Sequence, residues 1–303
     1  MRRFIGALLL LVPLAAGCGG SSNDTDGADR PATGSLTVEA ANGPVTLPSP
    51  AKRIVSLSPT GTEMLFAIGA GEQVVAVDDY STYPEEAPRT KLSGYQPNAE
   101  AIAGYEPDLV LVSDDQGGIL AALEKLKIPV LHEPAAVKID DSYDQLVDLG
   151  VATGHEKEAS DVVADMKKRI DDAVKAAPDG SDLTYYHELD TSMYTVTSKT
   201  FVGGVYSLFG LQNVADKADK QGSGYPQLSA ESLLKDDPKL IFMSHPKGTG
   251  ESPESAAKRP GWAGLTAVKE GNVFALEDDV ASRWGPRLPD LVEDISEAVK
   301  RAA

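Results

Sequence analysis

Short apolar runs alternate with stretches of helical periodicity along most of this chain. Residues 53–57, 74–77, 109–112 and 129–131 are rich in Val, Ile and Leu and have the length of buried strands. Between the first two, Ser58-Pro59 supplies a cap and a proline for a helix start, Met64, Leu65 and Ile68 give the helix an apolar face, and Gly69 stops it. A further helix is predicted over 119–126. Upstream, Asn42-Gly43 sits between Thr37-Val38 and Val45-Thr46-Leu47, a hairpin signal. The second half repeats this grammar: a strand over 194–197, a helix over 201–208 stopped by Gly210, a strand over 240–243, a helix over 262–268, a strand over 272–276 and a last helix over 289–301. Strands alternating with helices predict α/β lobes with parallel sheets. The most regular helical pattern lies between the halves, over 156–177. Its apolar positions (Ala159, Val162, Val163, Met166, Ile170, Ala173, Val174 and Ala177) recur every three or four residues. Such a helix spans about 30 Å and would be a stiff connector that allows only slight lobe closure.

One segment is written twice. NAEAIAGYEPDLVLVSD begins at Asn98, and SAESLLKDDPKLIFMSH begins at Ser229. Glu100 stands to Pro107 as Glu231 stands to Pro238, and each proline leads into a buried strand ending in serine, Ser113 or Ser244. Each copy reads as a short helix terminated by proline and followed by a strand. Two copies imply two similar lobes with a cleft between them, the usual place for a small ligand. The predicted organisation is a leader over 1–17, a tether over 18–34, an N-terminal lobe over 35–155, the connecting helix over 156–177 and a C-terminal lobe over 178–303.

Composition adds an export reading. Arg2 and Arg3 precede an apolar run over 4–14, and Ala15-Ala16-Gly17 leads to Cys18. This is the layout of a signal peptide, and the cysteine after small residues resembles a bacterial lipobox, with Ala15 where leucine is commoner. Cleavage as a plain secretory leader is the alternative. Cys18 is the only cysteine, so neither a disulfide nor a catalytic thiol is available to the folded body. The Ser-, Asp- and Gly-rich stretch after it reads as a flexible tether. The expected location is therefore extracytoplasmic, lipid-anchored to the cell membrane, with a monomeric soluble body. A formal net charge of −18 argues against a nucleic-acid partner, whose phosphates need a basic face.

RIVSLSPTGTEMLFAIGAG, NAEAIAGYEPDLVLV, YPQLSAESLL, RPGWAGLTAVKEGNVFAL and SRWGPRL together resemble the substrate-binding proteins of bacterial ABC importers for vitamin B12 and iron chelates. The resemblance covers about residues 50–290. It implies two Rossmann-like lobes joined by one long helix, and a receptor that delivers a metal chelate (cobalamin, a ferric siderophore or haem) to a permease dimer. It also implies that Glu100 and Glu231, one per lobe, meet arginines on the permease. Each glutamate also suits the first turn of a helix on electrostatic grounds alone.

Candidate ligand contacts are sought in loops after strands. Tyr80, Tyr83, Tyr95, Tyr194, Tyr225 and Trp284 offer apolar faces with polar handles, as a flat chelate requires, and Lys199, Arg283 and Arg287 offer charge. Ser58, Thr60, Asp114, Gln116, Glu188, Phe201, His187 and His245 are further candidates. Trp262 reads as core. The four histidines show no paired spacing, so no bare-metal site and no intrinsic cofactor are expected. No G-x-S-x-G elbow, P-loop or dinucleotide fingerprint is present, and the adjacent pairs Asp140-Asp141 and Asp278-Asp279 are placed in polar loops, so no catalytic residues are assigned. A cobalamin-type cargo is favoured, with a siderophore or haem as alternatives.

Overall fold

The computed structural model describes residues 34–303. The leader and Cys18 lie outside the described residues. A hairpin, β1 (Leu36–Ala40) and β2 (Gly43–Leu47), opens the described chain. The N-terminal lobe follows with β3 (Ile54–Leu57), α1 (Pro59–Ala67), β4 (Val74–Asp78), β5 (Arg89–Leu92), α2 (Ala99–Ala103), β6 (Leu109–Val112), α3 (Ile119–Lys125), β7 (Val130–His132) and α4 (Ile139–Thr153). Its five strands are parallel in the order β5-β4-β3-β6-β7. Then α5 (Glu156–Ala176) carries the chain across. The C-terminal lobe contains β8 (Thr184–Glu188), α6 (Phe201–Ser207), β9 (Gln212–Asn213), α7 (Ala230–Asp236), β10 (Leu240–Met243), α8 (Pro246–Thr249), α9 (Pro253–Ala256), α10 (Thr266–Glu270), β11 (Val273–Ala275), α11 (Asp278–Ser282) and α12 (Leu288–Ala302). Its four parallel strands run β11-β10-β8-β9. Among the described residues no helix is long and apolar enough to cross a membrane.

The duplicated segment folds alike in both lobes. Asn98 and Ser229 cap α2 and α7 through side-chain oxygens that accept from Ala101 N and Ser232 N. The residue before each proline, Glu106 or Asp237, has a positive φ, so both helices end in the same reversal before the following strand. Strands β6 and β10 are buried along their whole length.

Three departures from the sequence pattern have physical causes. The first C-lobe strand is β8, not 194–197, where only isolated bridges form. Its sequence, TYYHE, looks polar, yet Tyr185, Tyr186, His187 and Glu188 are all buried. The pair Asp140-Asp141 lies in the first turn of α4 rather than a loop, and Asp141 accepts from Val137 N and Lys138 N there. Asp278-Asp279 likewise begins α11. The helix expected over 262–268 is split into a 3-10 turn at Trp262–Gly264 and α10, and Trp262 is buried as core.

One apolar cluster runs through both lobes, from Val38, Leu65 and Leu109 through Met166 and Ile170 of α5 to Tyr206, Phe242 and Leu291. Two smaller clusters cover the outer face of each sheet. Helix α5 packs on α4 and α12. It is tied to α12 by Arg169, which donates to Asp290 and Glu293, and by Ser296 Oγ, which donates to Ala173 O at 2.8 Å. The lobes therefore share a core, which close packing keeps from hinging freely.

His187 is the most constrained titratable group in the C-lobe core. Ser244 Oγ donates to Glu188 O at 3.0 Å, which leaves it to accept from His187 Nε2 at 3.1 Å. Nδ1 is then the acceptor for Tyr206 OH at 2.8 Å, a neutral tautomer. Burial, then the neighbouring His245, pushes its pKa down to about 3. The unfolded chain, with an ordinary histidine, binds this proton more readily, so stability from this site is present above about pH 6.5 and is lost as pH falls toward 3. Urea-unfolding midpoints measured between pH 7 and pH 4 should fall less steeply in His187→Gln than in the parent chain; parallel slopes would refute this account.

Candidate functional site

Because every strand within each lobe's main sheet is parallel, the loops that leave their carboxyl ends collect on one edge of each lobe. A cavity of about 420 Å³ opens there between the lobes. From the N-terminal lobe it is lined by Ser58, Asp78, Tyr80, Tyr95, Asp114 and Gln116, and from the other lobe by Asp279, Ser282, Arg283 and Trp284. Tyr80 and Tyr95 meet edge to face, with centroids 5.2 Å apart at 83°. Both remain more than half exposed, at 54% and 67%. Beneath them Asp78 is buried, its Oδ1 accepting from Ser81 N at 2.8 Å. Burial raises its pKa, with hydrogen bonds from Ser81 opposing. A Cβ on Gly94 would stand 2.5 Å from Asp78 Oδ2, so only glycine lets the loop before Tyr95 cross this carboxylate.

The floor between the lobes is an ion cluster centred on Glu63 of α1. Arg287 grips this carboxylate at both oxygens, Nε to Oε2 at 2.8 Å and Nη2 to Oε1 at 2.7 Å. Arg283 adds Nη1 to Oε1 at 2.6 Å and reaches Asp279 Oδ1 at 2.9 Å. The Glu63 side chain is 2% exposed. Trp284, between the two arginines, donates from Nε1 to Gln145 Oε1 at 2.7 Å, and its carbonyl accepts from Ser142 Oγ. The Arg-Trp-Arg loop is thus fastened to the opposite lobe by side chains of α1 and α4. Glu63 was not singled out from sequence. The available signal was that Glu63 is the one charged residue of α1.

The structure divides the predicted ligand contacts into three groups. Tyr80, Tyr95, Arg283 and Trp284 line the cleft. Tyr83 and Arg287 line a neighbouring concavity of about 680 Å³ on the far side of α1, where the guanidinium lies 4.2 Å from the Tyr83 ring centroid. Tyr194, Lys199 and Tyr225 are exposed in loops beyond β8 and β9 and do not line this cavity. Those loops are zipped together by Thr195 N to Pro226 O and Thr197 N to Gly224 O. The histidine candidates sit deeper. His187 is core, and His245 is buried with Nε2 2.9 Å from Glu188 Oε1. Ligand atoms of Glu188, His245 and Glu251 lie within 4.8 Å of one another, a convergence that spacing alone did not reveal. Arg259 supplies the cation there, bonding Glu188 at 2.7 and 2.8 Å and pairing with Glu251.

Glu100 and Glu231 are exposed, each in the first turn of its helix, and neither makes a side-chain hydrogen bond or ion pair among the described residues. The duplication also extends further upstream than the helices. Ser93-Gly94-Tyr95 has its counterpart in Ser223-Gly224-Tyr225, so each lobe places an exposed tyrosine shortly before its exposed glutamate. Gly224 has φ of +81°, and its amide donates to Asp219 Oδ2 at 2.8 Å.

Residues 54–280 match the profile described as periplasmic binding protein. The chain belongs to this family. An ABC transporter substrate-binding lipoprotein of Bacillus subtilis, itself uncharacterised, is 31% identical over 97% of this chain and 95% of its own length. The crystal structure of the periplasmic vitamin B12 binding protein of Vibrio cholerae superposes with a TM-score of 0.69 at 28% identity, covering 84% of this chain and 98% of that one. A periplasmic haem-binding protein from Roseiflexus sp. RS-1, at 23% identity, shares the fold with a TM-score of 0.70 over 84% of this chain and the whole of its own. This periplasmic binding protein is thus a substrate-binding component of transport and not an enzyme.

The Glu63 cluster sets a measurable stability. Removing one member of a buried ion group strands the others, at a cost of about 3–5 kcal/mol. Glu63→Ala should lower the free energy of unfolding by that order in urea titrations. A loss below about 1 kcal/mol, the range of exposed pairs, would mean the arginines find other partners.

Proposed function

We propose that this chain captures a corrinoid in the cleft and hands it to the permease of an ABC importer at the outer face of the membrane. The observation that carries the reading is the charge balance of the cleft. Asp78, Asp114 and Asp279 line it, and Arg283, the cation among the described lining residues, is already shared between Glu63 and Asp279. A ferric siderophore of high negative charge, or the propionates of haem, would enter a pocket lined by three aspartates whose lining cation, Arg283, is already paired, with Lys199 and Lys247 outside that lining. Desolvating an unpaired charge in this way is costly. A neutral or cationic corrinoid brings no such penalty, and its amide groups suit carboxylate acceptors. The exposed rings of Tyr80 and Tyr95 offer apolar surface for a flat macrocycle. The vitamin B12 binding protein of Vibrio cholerae, of the same fold at 28% identity, supports the same choice. On this reading Tyr194, Lys199 and Tyr225 extend the site along the C-terminal lobe.

Delivery is assigned to Glu100 and Glu231. A free carboxylate on each lobe lets a dimeric permease read orientation and spacing through charge-assisted contacts with arginine. The lipobox resemblance at Cys18 supports a lipid anchor that holds the receptor beside its permease.

Two measurements test these assignments separately. Tryptophan emission, corrected for absorbance, is titrated with cobalamin, haem and a panel of ferric siderophores. Cobalamin should quench at submicromolar concentration, and Trp284→Phe should remove most of the response because Trp262 is buried away from the cleft. Quenching by a ferric siderophore alone would overturn the corrinoid reading. Glu100→Lys or Glu231→Lys should reduce uptake by reconstituted transporter at least tenfold while the dissociation constant stays unchanged; weakened binding would remove the docking role.

A further inference from the structure

Two walls of the cleft, one from each lobe, meet on a single buried amide. Gln145 of α4 is 6% exposed, and both ends of its side chain are occupied. Oε1 accepts from Trp284 Nε1 at 2.7 Å, and Nε2 donates to Pro134 O at 2.6 Å. The indole nitrogen can only donate and the carbonyl can only accept, so the amide fits in one orientation. Pro134 belongs to the loop between β7 and α4, whose Ala135 lines the cleft, while Trp284 lines it from the C-terminal lobe. Neighbouring side chains of α4 reinforce both contacts. Asp141 accepts from Val137 N and Lys138 N of that loop, and Ser142 Oγ donates to the Trp284 carbonyl.

These bonds have two physical consequences. The one polar atom of the indole is already spent, so the ring offers the cavity apolar surface and no donor. The ring also cannot turn without stranding a donor and a buried acceptor, which is costly. We infer that Gln145 is a positioning residue: it fixes the Trp284 ring against the cavity and ties the Ala135 loop to the Arg-Trp-Arg loop of the opposite lobe. A shift of either loop breaks a bond to the same amide. Glu63 holds the two arginines of that second loop, and Gln145 governs the ring between them. The bearing of Gln145 on cargo affinity rests on the corrinoid reading above; its bearing on the ring does not.

The test uses the two tryptophans of the chain, Trp262 and Trp284. A proton–nitrogen correlation spectrum of the isotope-labelled, ligand-free protein gives one indole signal from each, and Trp284→Phe assigns them. Gln145→Met is close in size and has no amide. It should speed hydrogen exchange of the Trp284 signal at least tenfold, leave the Trp262 signal in place, and weaken cobalamin binding at least tenfold. Gln145→Glu separates positioning from packing. When protonated, its carboxyl rebuilds both bonds, accepting from the indole and donating to Pro134 O; when ionised, it sets a negative charge against that carbonyl. Relative to the parent chain, its protection of the indole and its cobalamin affinity should therefore recover as the pH is lowered from about 8 to about 5. This variant carries the test if Gln145→Met does not fold. An unchanged Trp284 signal, or undiminished cobalamin affinity in Gln145→Met, would overturn the inference. Failure of the parent chain to bind cobalamin would overturn the corrinoid reading alone, because indole exchange is read without cargo.

Discussion

The Glu63 carboxylate, held by two arginines from the other lobe, is the interaction on which the geometry of the cleft depends. It sits almost wholly out of water, so its charge must be met by protein. Both partners come from the loop between α11 and α12, and that loop also carries Trp284, whose indole and carbonyl are fixed on α4. The position of one wall of the cavity is therefore dictated by the opposite lobe. The continuous core through α5 and α12 supplies bulk stiffness, and the ion cluster supplies register at the mouth.

This arrangement has an electrostatic cost. Arginines that look, in the sequence, like handles for an anionic ligand are occupied in holding the lobes together. What they leave facing the cavity is a set of aspartates and two tyrosine rings. Rigidity and the charge presented to the cavity are thus linked through the same side chains, and a change that freed the arginines would also loosen the frame.

Much of the fold was legible because its information is local. The apolar strands β3, β4, β6 and β10, the three-and-four spacing of α5, and the duplicated cap-helix-proline-strand text each declare themselves within a short window. Elements that depend on distant partners did not. TYYHE forms a central strand because Tyr206 and Ser244 hold His187 neutral and Arg259 pairs Glu188, and none of these partners is near in sequence. Helix α4 was hidden by the acids on its outer face, although Leu146 and Leu149 mark its buried side. In the site, residue types pointed to loops at the strand ends, but sequence does not show that Arg287 and Tyr83 stack on the far side of α1 while Tyr80 and Tyr95 face the cleft. Pairing across the lobes decided that.

The repeated Ser-Gly-Tyr has a consequence for how such a receptor distinguishes its two ends. Tyr95 and Glu100 are separated by one residue fewer than Tyr225 and Glu231, so the two lobes are related without being superposable copies. The extra residue, with the left-handed Gly224 before its tyrosine, offsets ring from carboxylate differently in each half. Exact twofold symmetry would present a lopsided cargo with two equivalent seatings and a transporter with two equivalent approaches. The five- and four-stranded sheets already remove that degeneracy, and the inserted residue carries the difference into the spacing between ring and carboxylate, giving the molecule a front and a back at that level too.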